Sequence, residues 1–401
     1  MDICSEVMEH LDELVELRRW FHMNPELGFQ EHETSRKIAG YLQDLGLRVE
    51  TGVAKTGVVA LMEGCGPGPT LLMRSDMDAL PLEENNSLPY RSQNEGVMHA
   101  CGHDTHMAML LIAAKILSRH KDQFKGNIKF VFQPNEEDAG AELMVEEGVM
   151  GDPEVDGAIG LHIWTPIPTG TIAVVEGSIM ASSYYFKLRV KGKGGHGGSP
   201  HTAVDPILCA AHIIQAVQAI QTRQTSALKP TVITFGKVQG GTYNIVIPEE
   251  VLLEGSIRCL HGGDSEVRRR FQEVVENICN AHGTESELSF KCGNRLLSND
   301  PKMTHLVERV AREVVGEENL IGEEIRMMIG EDFAEFANRA SGCFYFVGTG
   351  NPEKKTDYDH HNPNFRIDED SLPVGVEMHV KTALEFFQRQ STLEDLTKGR
   401  E

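Results

Sequence analysis

The sequence of 401 residues lacks the features on which membrane insertion and nucleic-acid binding depend. It has 38 lysines and arginines against 60 aspartates and glutamates, which gives a formal net charge of −22. Binding to nucleic acid or to an anionic membrane surface requires clustered basic side chains, so neither partner is expected. There is no run of about 18 apolar residues to form a transmembrane helix. The amino terminus is acidic and amphipathic, unlike a secretory signal, and we expect a cytoplasmic protein.

The eight cysteines lack the spacing of a structural zinc site. No two of them form a C-x-x-C pair, so neither a zinc finger nor a thioredoxin-like motif is indicated. The cysteines other than Cys101 are expected to be small buried hydrophobic residues. Cys101 differs because a histidine occurs two residues before it and another two residues after it. The stretch that contains it, VMHACGHDTHM, directly precedes an apolar run with the character of a buried helix.

Short apolar runs alternate with helical patterns through the first part of the chain. Strand-like runs occur at 58–63, 69–78, 126–134 and 156–164, and helical spacing occurs at 5–20, 33–45, 105–119 and 139–148. This alternation predicts an α/β fold with a mostly parallel sheet and helices on both faces. Ligands of such sheets bind beyond the carboxyl ends of the strands. The residues with functional chemistry at these predicted ends are Asp76, Asp78, Glu136, Glu137 and His162.

The pattern changes near residue 181. Between 181 and 295 the order strand, helix, strand, strand, helix, strand predicts an inserted α+β domain of ferredoxin-like type. From 296 onward the α/β pattern returns. We therefore predict a catalytic domain made of 1–180 and 296–401, interrupted by a smaller domain at 181–295.

Four separate segments carry side chains that bind transition metals: HACGHD, QPNEED, GLHIW and DYDHHNPNF. Each is a weak signal alone, because a single histidine is more often structural and paired acids usually form a solvated turn. Brought together at one edge of one sheet, they indicate a site for two metal ions. Imidazole, thiolate and carboxylate groups suit zinc or manganese. Such ions lower the pKa of water and polarise a carbonyl, and a nearby carboxylate can take the proton.

The sequence resembles the two-metal amidohydrolases and exopeptidases that include aminoacylases, hippurate hydrolases and indole-acetyl-amino-acid hydrolases. The resemblance extends over nearly the whole chain, from LRRWFHMNPELGFQEHET to DEDSLPVGVEMHV. The motifs RSDMDALP, HACGHDTH, GLHIW, GKGGHGGSPH and HNPNF occur in the order found in the family. The resemblance implies two divalent metal ions per subunit, Zn²⁺ or Mn²⁺.

The resemblance also implies a role for each candidate residue of the catalytic domain. Glu136 is the general base, and Asp78 orients a histidine that binds metal. Five side chains for two ions imply that Cys101 bridges the ions. Asp76 stands where the wider family has a metal-binding histidine. The implied metal ligands are Cys101, His103, Glu137, His162 and His361, while His99, His106 and His360 have no ligand role.

In the inserted domain, the resemblance implies residues that contact the substrate. His196 resembles the lid histidine that stabilises the developing oxyanion, and Arg258 resembles the arginine that binds the substrate carboxylate. The family usually has asparagine three residues before the proline of its NVIP motif. Here Ile245 holds that position, and Asn244 precedes it as the candidate substrate-binding residue. In relatives the lid histidine reaches the active site of a partner subunit, which implies a homodimer or a higher homo-oligomer joined through the insert.

These assignments predict metal-dependent hydrolysis of the amide bond of N-acyl amino acids, such as hippurate or N-acetyl-amino acids. A dipeptidase or carboxypeptidase that uses the same centre is the alternative within the enzyme class. A binding protein with an inactive centre conflicts with the general base that accompanies the ligands. A structural zinc site conflicts with ligands that extend from residue 101 to residue 361.

Overall fold

The computed structural model describes residues 2–398 of the chain, with side chains up to residue 388. The helices are α1 Ile3–Glu9, α2 Leu11–Met23, α3 His32–Asp44, α4 His103–Ser118, α5 Ala141–Glu146, α6 Pro206–Ala219, α7 Asp264–His282, α8 Pro301–Val315, α9 Ala334–Ala337 and α10 Leu372–Lys398. The strands are β1 Arg48–Val53, β2 Gly57–Glu63, β3 Thr70–Asp76, β4 Asn127–Gln133, β5 Gly157–Pro168, β6 Ile172–Ala173, β7 Gly177–Met180, β8 Ser182–Lys191, β9 Gly195–His196, β10 Thr231–Gly240, β11 Val246–Ile247, β12 Glu250–Cys259, β13 Glu285–Cys292, β14 Leu297–Asn299, β15 Leu320–Ile321 and β16 Ser341–Gly350.

The chain forms two compact units. The first contains Met1–Gly177, Ser298–Ile325 and Asp332–Glu401, and the second contains Ser178–Leu297 and Arg326–Glu331. The assignment of the second unit as a lid or dimerisation domain stays a prediction. Within residues 2–398, none of the helices combines the length and the apolar character that crossing a membrane requires.

The first unit is built on an eight-stranded sheet with the order β1-β2-β4-β3-β5-β16-β6-β15. Its four central strands, β4, β3, β5 and β16, run parallel to one another. Antiparallel pairs occur toward the edges, where β2 pairs with β1 and with β4. Every residue of β3 is buried, as expected for a central strand of a covered parallel sheet. The predicted α/β fold with a mostly parallel sheet is confirmed.

Helix α4 lies inside the core of the first unit. All of its residues are buried except Lys115 and Ser118, because its sequence is apolar on every side. It packs against α2, α10 and β3. Gly102, the residue directly before α4, has a left-handed backbone with φ 89. A Cβ atom on this residue would lie 2.6 Å from the Ile163 side chain. Only glycine fits this position, and the packing of the core therefore fixes the residues on either side of it.

The register of the parallel strands brings several predicted site residues to one level. Asp76, the last residue of β3, pairs with Gln133, the last residue of β4. Arg74 pairs with Gly160 of β5, so Asp76 lies level with His162, two residues further along. Strand β5 continues beside β16 as far as Pro168, and His162 lies within the strand. The prediction that His162 ends its strand is wrong because β5 gains a longer partner in β16.

The second unit contains a four-stranded antiparallel sheet with the order β10-β12-β8-β13. Helices α6 and α7 pack against each other and against this sheet. Their contact encloses a separate apolar core around Phe186 and Phe271. The order β8, α6, β10, β12, α7, β13 is the strand and helix order predicted for residues 181–295. A two-stranded ribbon, formed by β9 and β11, belongs to the same unit.

Two helix boundaries and the exposure of three cysteines depart from the sequence predictions. The helix expected over 5–20 is two helices that meet at His10. The helix expected over 139–148 begins only at Ala141, because Ala139 has a left-handed backbone with φ 63 that stops a helix. The expected burial of the cysteines is wrong for Cys4, Cys65 and Cys292, which are exposed near the ends of elements or in a turn.

Candidate metal centre

The five predicted metal ligands, from four segments of the first unit, fall into two groups of three donor atoms. One group is Cys101, His103 and His162, and the other is Cys101, Glu137 and His361. Within each group the donor atoms lie within 4.8 Å of one another. Zinc binds nitrogen, oxygen and sulfur at about 2.0–2.3 Å, so two donors to one ion are at most about 4.6 Å apart. Small side-chain adjustments thus suffice for each group to hold one ion, and Cys101 is common to both groups. His103 also belongs to a group with Asp76 and His106 and to a group with Glu136 and Glu137.

His162 is oriented by its own strand. Its Nδ1 donates to the backbone carbonyl of Ile163 at 2.6 Å. A carbonyl can only accept, so Nδ1 carries the proton and Nε2 carries the lone pair. That Nε2 lies 3.4 Å from the Cys101 Sγ. The tautomer of His162 is therefore the one that a metal ligand through Nε2 requires.

His103 lies between two aspartates. Its Nδ1 lies 3.3 Å from Asp78 Oδ1, and its Nε2 lies 3.7 Å from Asp76 Oδ2. Both ring nitrogens are buried, and neither makes a hydrogen bond to any residue of the described chain. A buried nitrogen without a hydrogen bond is costly. Because Asp78 is the nearer aspartate and faces Nδ1, Nε2 is the atom that fits a metal ligand better than a structural role.

Asp78 also fixes the turn that carries the two glutamates. Its Oδ1 accepts the backbone N–H of Glu136 at 3.0 Å, and its Oδ2 accepts that of Glu137 at 3.2 Å. Glu136–Asp138 form a single 3₁₀ turn between Asn135 and Ala139, which both have left-handed backbones. The carboxylates of Glu136 and Glu137 lie within 4.8 Å of a ring nitrogen of His103. One aspartate thus connects the start of α4 with the acidic turn.

The adjacent histidines 360 and 361 have different surroundings. His361 has a left-handed backbone with φ 62, and its N–H donates to the Ala100 carbonyl at 2.8 Å. Its Nε2 lies 3.2 Å from Glu137 Oε1. His360 instead stacks on Trp164 with ring centroids 4.4 Å apart, and its Nε2 lies 3.1 Å from the Ile163 carbonyl. Only His361 of this pair belongs to a donor group.

A buried brace behind the donors was not predicted from the sequence. His106 Nδ1 donates to Asp76 Oδ1 at 2.6 Å, while its Nε2 accepts the N–H of Ile163 at 2.9 Å. Arg74 donates to the other oxygen of Asp76 at 2.7 Å. Asp76 and His106 thus join β3, α4 and β5. The one sequence signal for this network is Arg74, a charged residue directly after the apolar run LLM of β3.

The charges at the centre favour a bound cation. Burial opposes a charge on His103, yet the carboxylates of Asp76, Asp78 and Glu137 outweigh it and raise the pKa of His103 to about 10. Burial and the same acidic surroundings raise the pKa of the Cys101 thiol well above its ordinary value. The proton on His103 offsets part of the negative charge of the carboxylates, and the proton on Cys101 keeps the thiol from adding to that charge. A divalent cation can take the place of those protons, so the residues fit a metal centre.

The three predicted substrate-contacting residues belong to the second unit. His196 lies in β9 opposite Val246 of β11, and its exposed ring accepts the N–H of Gly198 at Nδ1, at 2.9 Å. Nε2 therefore carries the proton of the neutral ring. Asn244 is exposed, two residues before Val246. Arg258 is half-buried in β12 and donates to the Met328 carbonyl at 3.0 Å.

Comparisons with known proteins agree with this geometry. Residues 72–385 match the family described as Peptidase family M20/M25/M40. The chain belongs to this family. It is 38% identical to thermostable carboxypeptidase 2 of Saccharolobus solfataricus over 95% of this chain and 97% of that protein. It is also 38% identical to the N-acetyl-L-cysteine deacetylase of Bacillus subtilis over 90% of this chain and 85% of that protein.

A solved structure of an M20 relative is similar over nearly the whole chain. This is the Bacillus subtilis YXEP protein, described as a dinuclear metal binding peptidase, with a TM-score of 0.83 and 31% identity. The match covers 95% of this chain and 99% of that one. The resemblance inferred from the motifs is confirmed, and the protein is an M20 hydrolase with candidate metal-ligand groups.

Binding of a divalent cation to this M20 centre should release a proton from Cys101. The pKa of its thiol is raised, so at pH 7 the group is protonated, whereas zinc binds the thiolate. Affinity should therefore increase with pH. The measurement is a titration of the chelator-treated protein with Zn²⁺ in dilute buffer that contains a pH indicator. Cys101→Ser should release about one proton fewer per subunit than wild type.

The control for this titration is Cys343→Ser, because Cys343 is a buried cysteine of the same unit that lies in β16. This variant should release as many protons as wild type. His103 also loses a proton on binding, so the difference between variants is the informative quantity. Equal proton release by Cys101→Ser and wild type would show that the thiol is not a ligand.

Proposed function

We propose that this M20 enzyme hydrolyses the amide bond of N-acyl amino acids and yields a carboxylate and a free amino acid. The main support is the pair of donor groups that share Cys101, with the carboxylate of Glu136 beside them. Two adjacent glutamates can divide the work, since one can bind metal while the other moves a proton. The name of the N-acetyl-L-cysteine deacetylase relative describes a reaction of this type.

We propose that the centre holds two divalent cations, one per donor group, with Cys101 shared between them. The remaining donors are His103 and His162 for one ion, and Glu137 and His361 for the other. Thiolate favours zinc, whereas the imidazoles and the carboxylate also accept manganese. When bound, the cations lower the pKa of water and polarise the substrate carbonyl.

The proton transfers in the reaction are assigned to Glu136. Its carboxylate takes a proton from water, and the water oxygen then bonds to the carbonyl carbon of the amide. Glu136 next gives that proton to the amide nitrogen, and the bond between carbon and nitrogen breaks. An N-acyl amino acid and water thus become a carboxylate and an amino acid. Asp78, through the N–H groups of Glu136 and Glu137, keeps the base in place.

The second unit is proposed to contact the substrate. His196 carries its proton on Nε2 in the neutral ring, so this atom can donate to the oxygen that becomes negative during the attack. Arg258 can bind the α-carboxylate with the part of its guanidinium that does not contact Met328. Asn244 is an exposed amide next to the same ribbon and is proposed to bind the substrate as well.

The second unit is also proposed to join two subunits. Strand β10 forms one edge of its four-stranded sheet, where unpaired backbone groups favour pairing with another chain. Apolar side chains at least 47% exposed lie on β10, on the following loop, on β11 and on the first turn of α6. They are Ile207, Leu208, Val238, Tyr243, Ile245 and Val246, which are 47–67% exposed. A second copy of this chain is the proposed occupant, and it would present its His196 to the first.

A carboxypeptidase or dipeptidase activity is the second candidate function. The observation that favours it is the 38% identity to a thermostable carboxypeptidase over nearly the whole chain. Both kinds of substrate have an amide bond next to a free carboxylate, so the same centre and the same arginine serve both. They differ in the group before the amide, which is an uncharged acyl group in one case and an amino-acid residue in the other.

A substrate panel tests the proposed function. Enzyme freed of metal and reconstituted with Zn²⁺ or Mn²⁺ should hydrolyse hippurate and N-acetyl-methionine. Its kcat/KM for these substrates should exceed that for dipeptides by at least about tenfold. N-acetyl-methionine amide, which lacks the carboxylate, should react far more slowly. Faster hydrolysis of dipeptides would favour the peptidase function, and no hydrolysis with either metal would overturn the proposal.

Substitution of the two glutamates should separate proton transfer from metal binding. Glu136→Gln should keep the wild-type metal content and lose at least about a hundredfold in kcat, because the amide cannot accept the proton. Glu137→Gln should bind metal more weakly, because it removes a charged donor. The measurements are metal content after gel filtration and kcat at saturating substrate.

The two variants are matched controls for each other, since both replace a carboxylate of the same turn with an amide. Equal loss of metal in both would show that the roles of Glu136 and Glu137 are divided wrongly.

Removal of the His196 ring should affect the transition state more than substrate binding. We expect His196→Ala to lower kcat by about ten- to a thousandfold, the range for one lost oxyanion donor. KM should change less and the metal content should not change. His201→Ala, a neighbouring exposed histidine, should have wild-type kcat and serves as the control.

Mixed dimers test whether His196 acts across the subunit interface. Subunits with His196→Ala and subunits with Glu136→Gln should regain part of the activity when they are mixed, because one of the two centres is then complete. Inactive mixed dimers, once their formation is shown by differently tagged subunits, would contradict the action of His196 on a partner subunit.

A further inference from the structure

Glu31 is a fully buried carboxylate at the start of α3, and the proposed reaction gives it no role. Its Oε1 accepts the backbone N–H of Asn135 at 2.9 Å. Its Oε2 accepts the hydroxyl hydrogen of Thr56 at 2.6 Å. Both carboxylate oxygens are thus engaged, one of them by the residue that directly precedes Glu136.

Asn135 determines the direction in which the chain leaves β4. Its backbone is left-handed with φ 54, a conformation that costs free energy for every residue except glycine, although less for asparagine than for most. Its side-chain amide donates to the Asp138 carbonyl at 3.2 Å, which closes the turn. The N–H bonded to Glu31 therefore lies at the point where the backbone reverses toward the proposed base.

The segment before α3 is shaped to fit Asn135. A Cβ on Gly28 would lie 1.9 Å from Asn135 Oδ1, so only glycine allows this approach. Phe29, the next residue, has a positive φ of 60. Gly28 and Glu31 thus contact the side chain and the backbone of the same asparagine. Both residues belong to the motif PELGFQEHET, and no residue of this motif takes part in the proposed reaction.

We propose that Glu31 is a positioning residue that holds Asn135 in its left-handed conformation and thereby aims the Glu136 carboxylate. This inference rests on the proposed role of Glu136 as the base. The Glu31 carboxylate accepts one hydrogen bond from Asn135 and one from Thr56. A glutamine can keep both contacts, because its oxygen can accept from Asn135 while its NH₂ group donates to the Thr56 hydroxyl oxygen. An alanine removes both contacts.

Glu26 provides a matched control within the same motif. Its carboxylate also accepts two backbone N–H groups, those of Glu33 at 3.1 Å and Thr34 at 2.9 Å. Both donors belong to the first turn of α3. Glu26→Ala therefore disturbs the start of the same helix through the same chemical change as Glu31→Ala, and it leaves the bond to Asn135 in place.

The experiment compares Glu31→Ala with Glu26→Ala in the metal-reconstituted enzyme. Glu31→Ala should lower kcat by about ten- to a hundredfold, since a displacement of about 1 Å can cost that much, with KM and metal content near wild type. Glu31→Gln, which can keep both contacts, should recover most of that loss, and Glu26→Ala should keep kcat within about twofold of wild type. A hydroxyl-conserving change at residue 56, Thr56→Ser, should retain activity, whereas Thr56→Val should lose part of it.

Amide hydrogen exchange supplies a readout that needs no substrate. In Glu31→Ala, the peptide that covers residues 134–141 should exchange faster than in wild type, and in Glu26→Ala it should not. Unchanged exchange and unchanged kcat in Glu31→Ala would overturn the inference, and so would equal kcat losses in the two alanine variants. If wild type hydrolyses no amide but the exchange result holds, the proposed function fails while the contact of Glu31 with the turn stands.

Discussion

Burial of several carboxylates close together is the constraint on which the first unit depends. An ionised carboxylate without partners in a protein interior costs several kcal/mol, on the order of its desolvation penalty. The segment that follows β4 donates backbone N–H groups to three of these carboxylates. They are Glu31, Asp78 and Asp332, and each is at most 2% exposed. The turn with both glutamates is thus held from three sides, and the same bonds satisfy the buried charges.

Arg74 stabilises buried carboxylates from within the sheet. Its guanidinium donates to Asp76 at 2.7 Å, to Gln133 at 2.8 Å and to Asp332 at 3.0 Å. Three acceptors in different directions suit the planar fork of arginine, which a lysine ammonium cannot reproduce. Asp76 keeps its negative charge because the charges of His103 and Arg74 and the hydrogen bond from His106 overcome its burial and hold its pKa well below the ordinary value. The positive side chain in the central strand therefore allows two aspartates beside the donor groups.

The sequence allows prediction of the α/β fold and of the segments that meet, because strand and helix periodicity and the carboxyl ends of parallel strands are local properties. It does not distinguish between neighbouring histidines. His103 and His106 lie three residues apart on one face of α4, and their rings are 5.5 Å apart. Their difference is tertiary, because His103 has Asp78 at one nitrogen while His106 is bonded at both nitrogens. The length of β5 beyond His162 likewise depends on its pairing with β16.

The amino-terminal motif acts on the centre without supplying a donor to it. His22 bonds to Asp104 at 2.7 Å, directly after His103, and Arg18 lies 3.1 Å from the same carboxylate. Glu31 holds the residue directly before Glu136. Both segments that carry donors are therefore supported from behind by one stretch of chain. Hydrogen bonds between protein groups orient the donors, so cation binding requires little reorganisation of the backbone. The family resemblance includes this amino-terminal stretch although it contributes no candidate metal ligand. The support that it gives to the two donor segments accounts for its place in the resemblance.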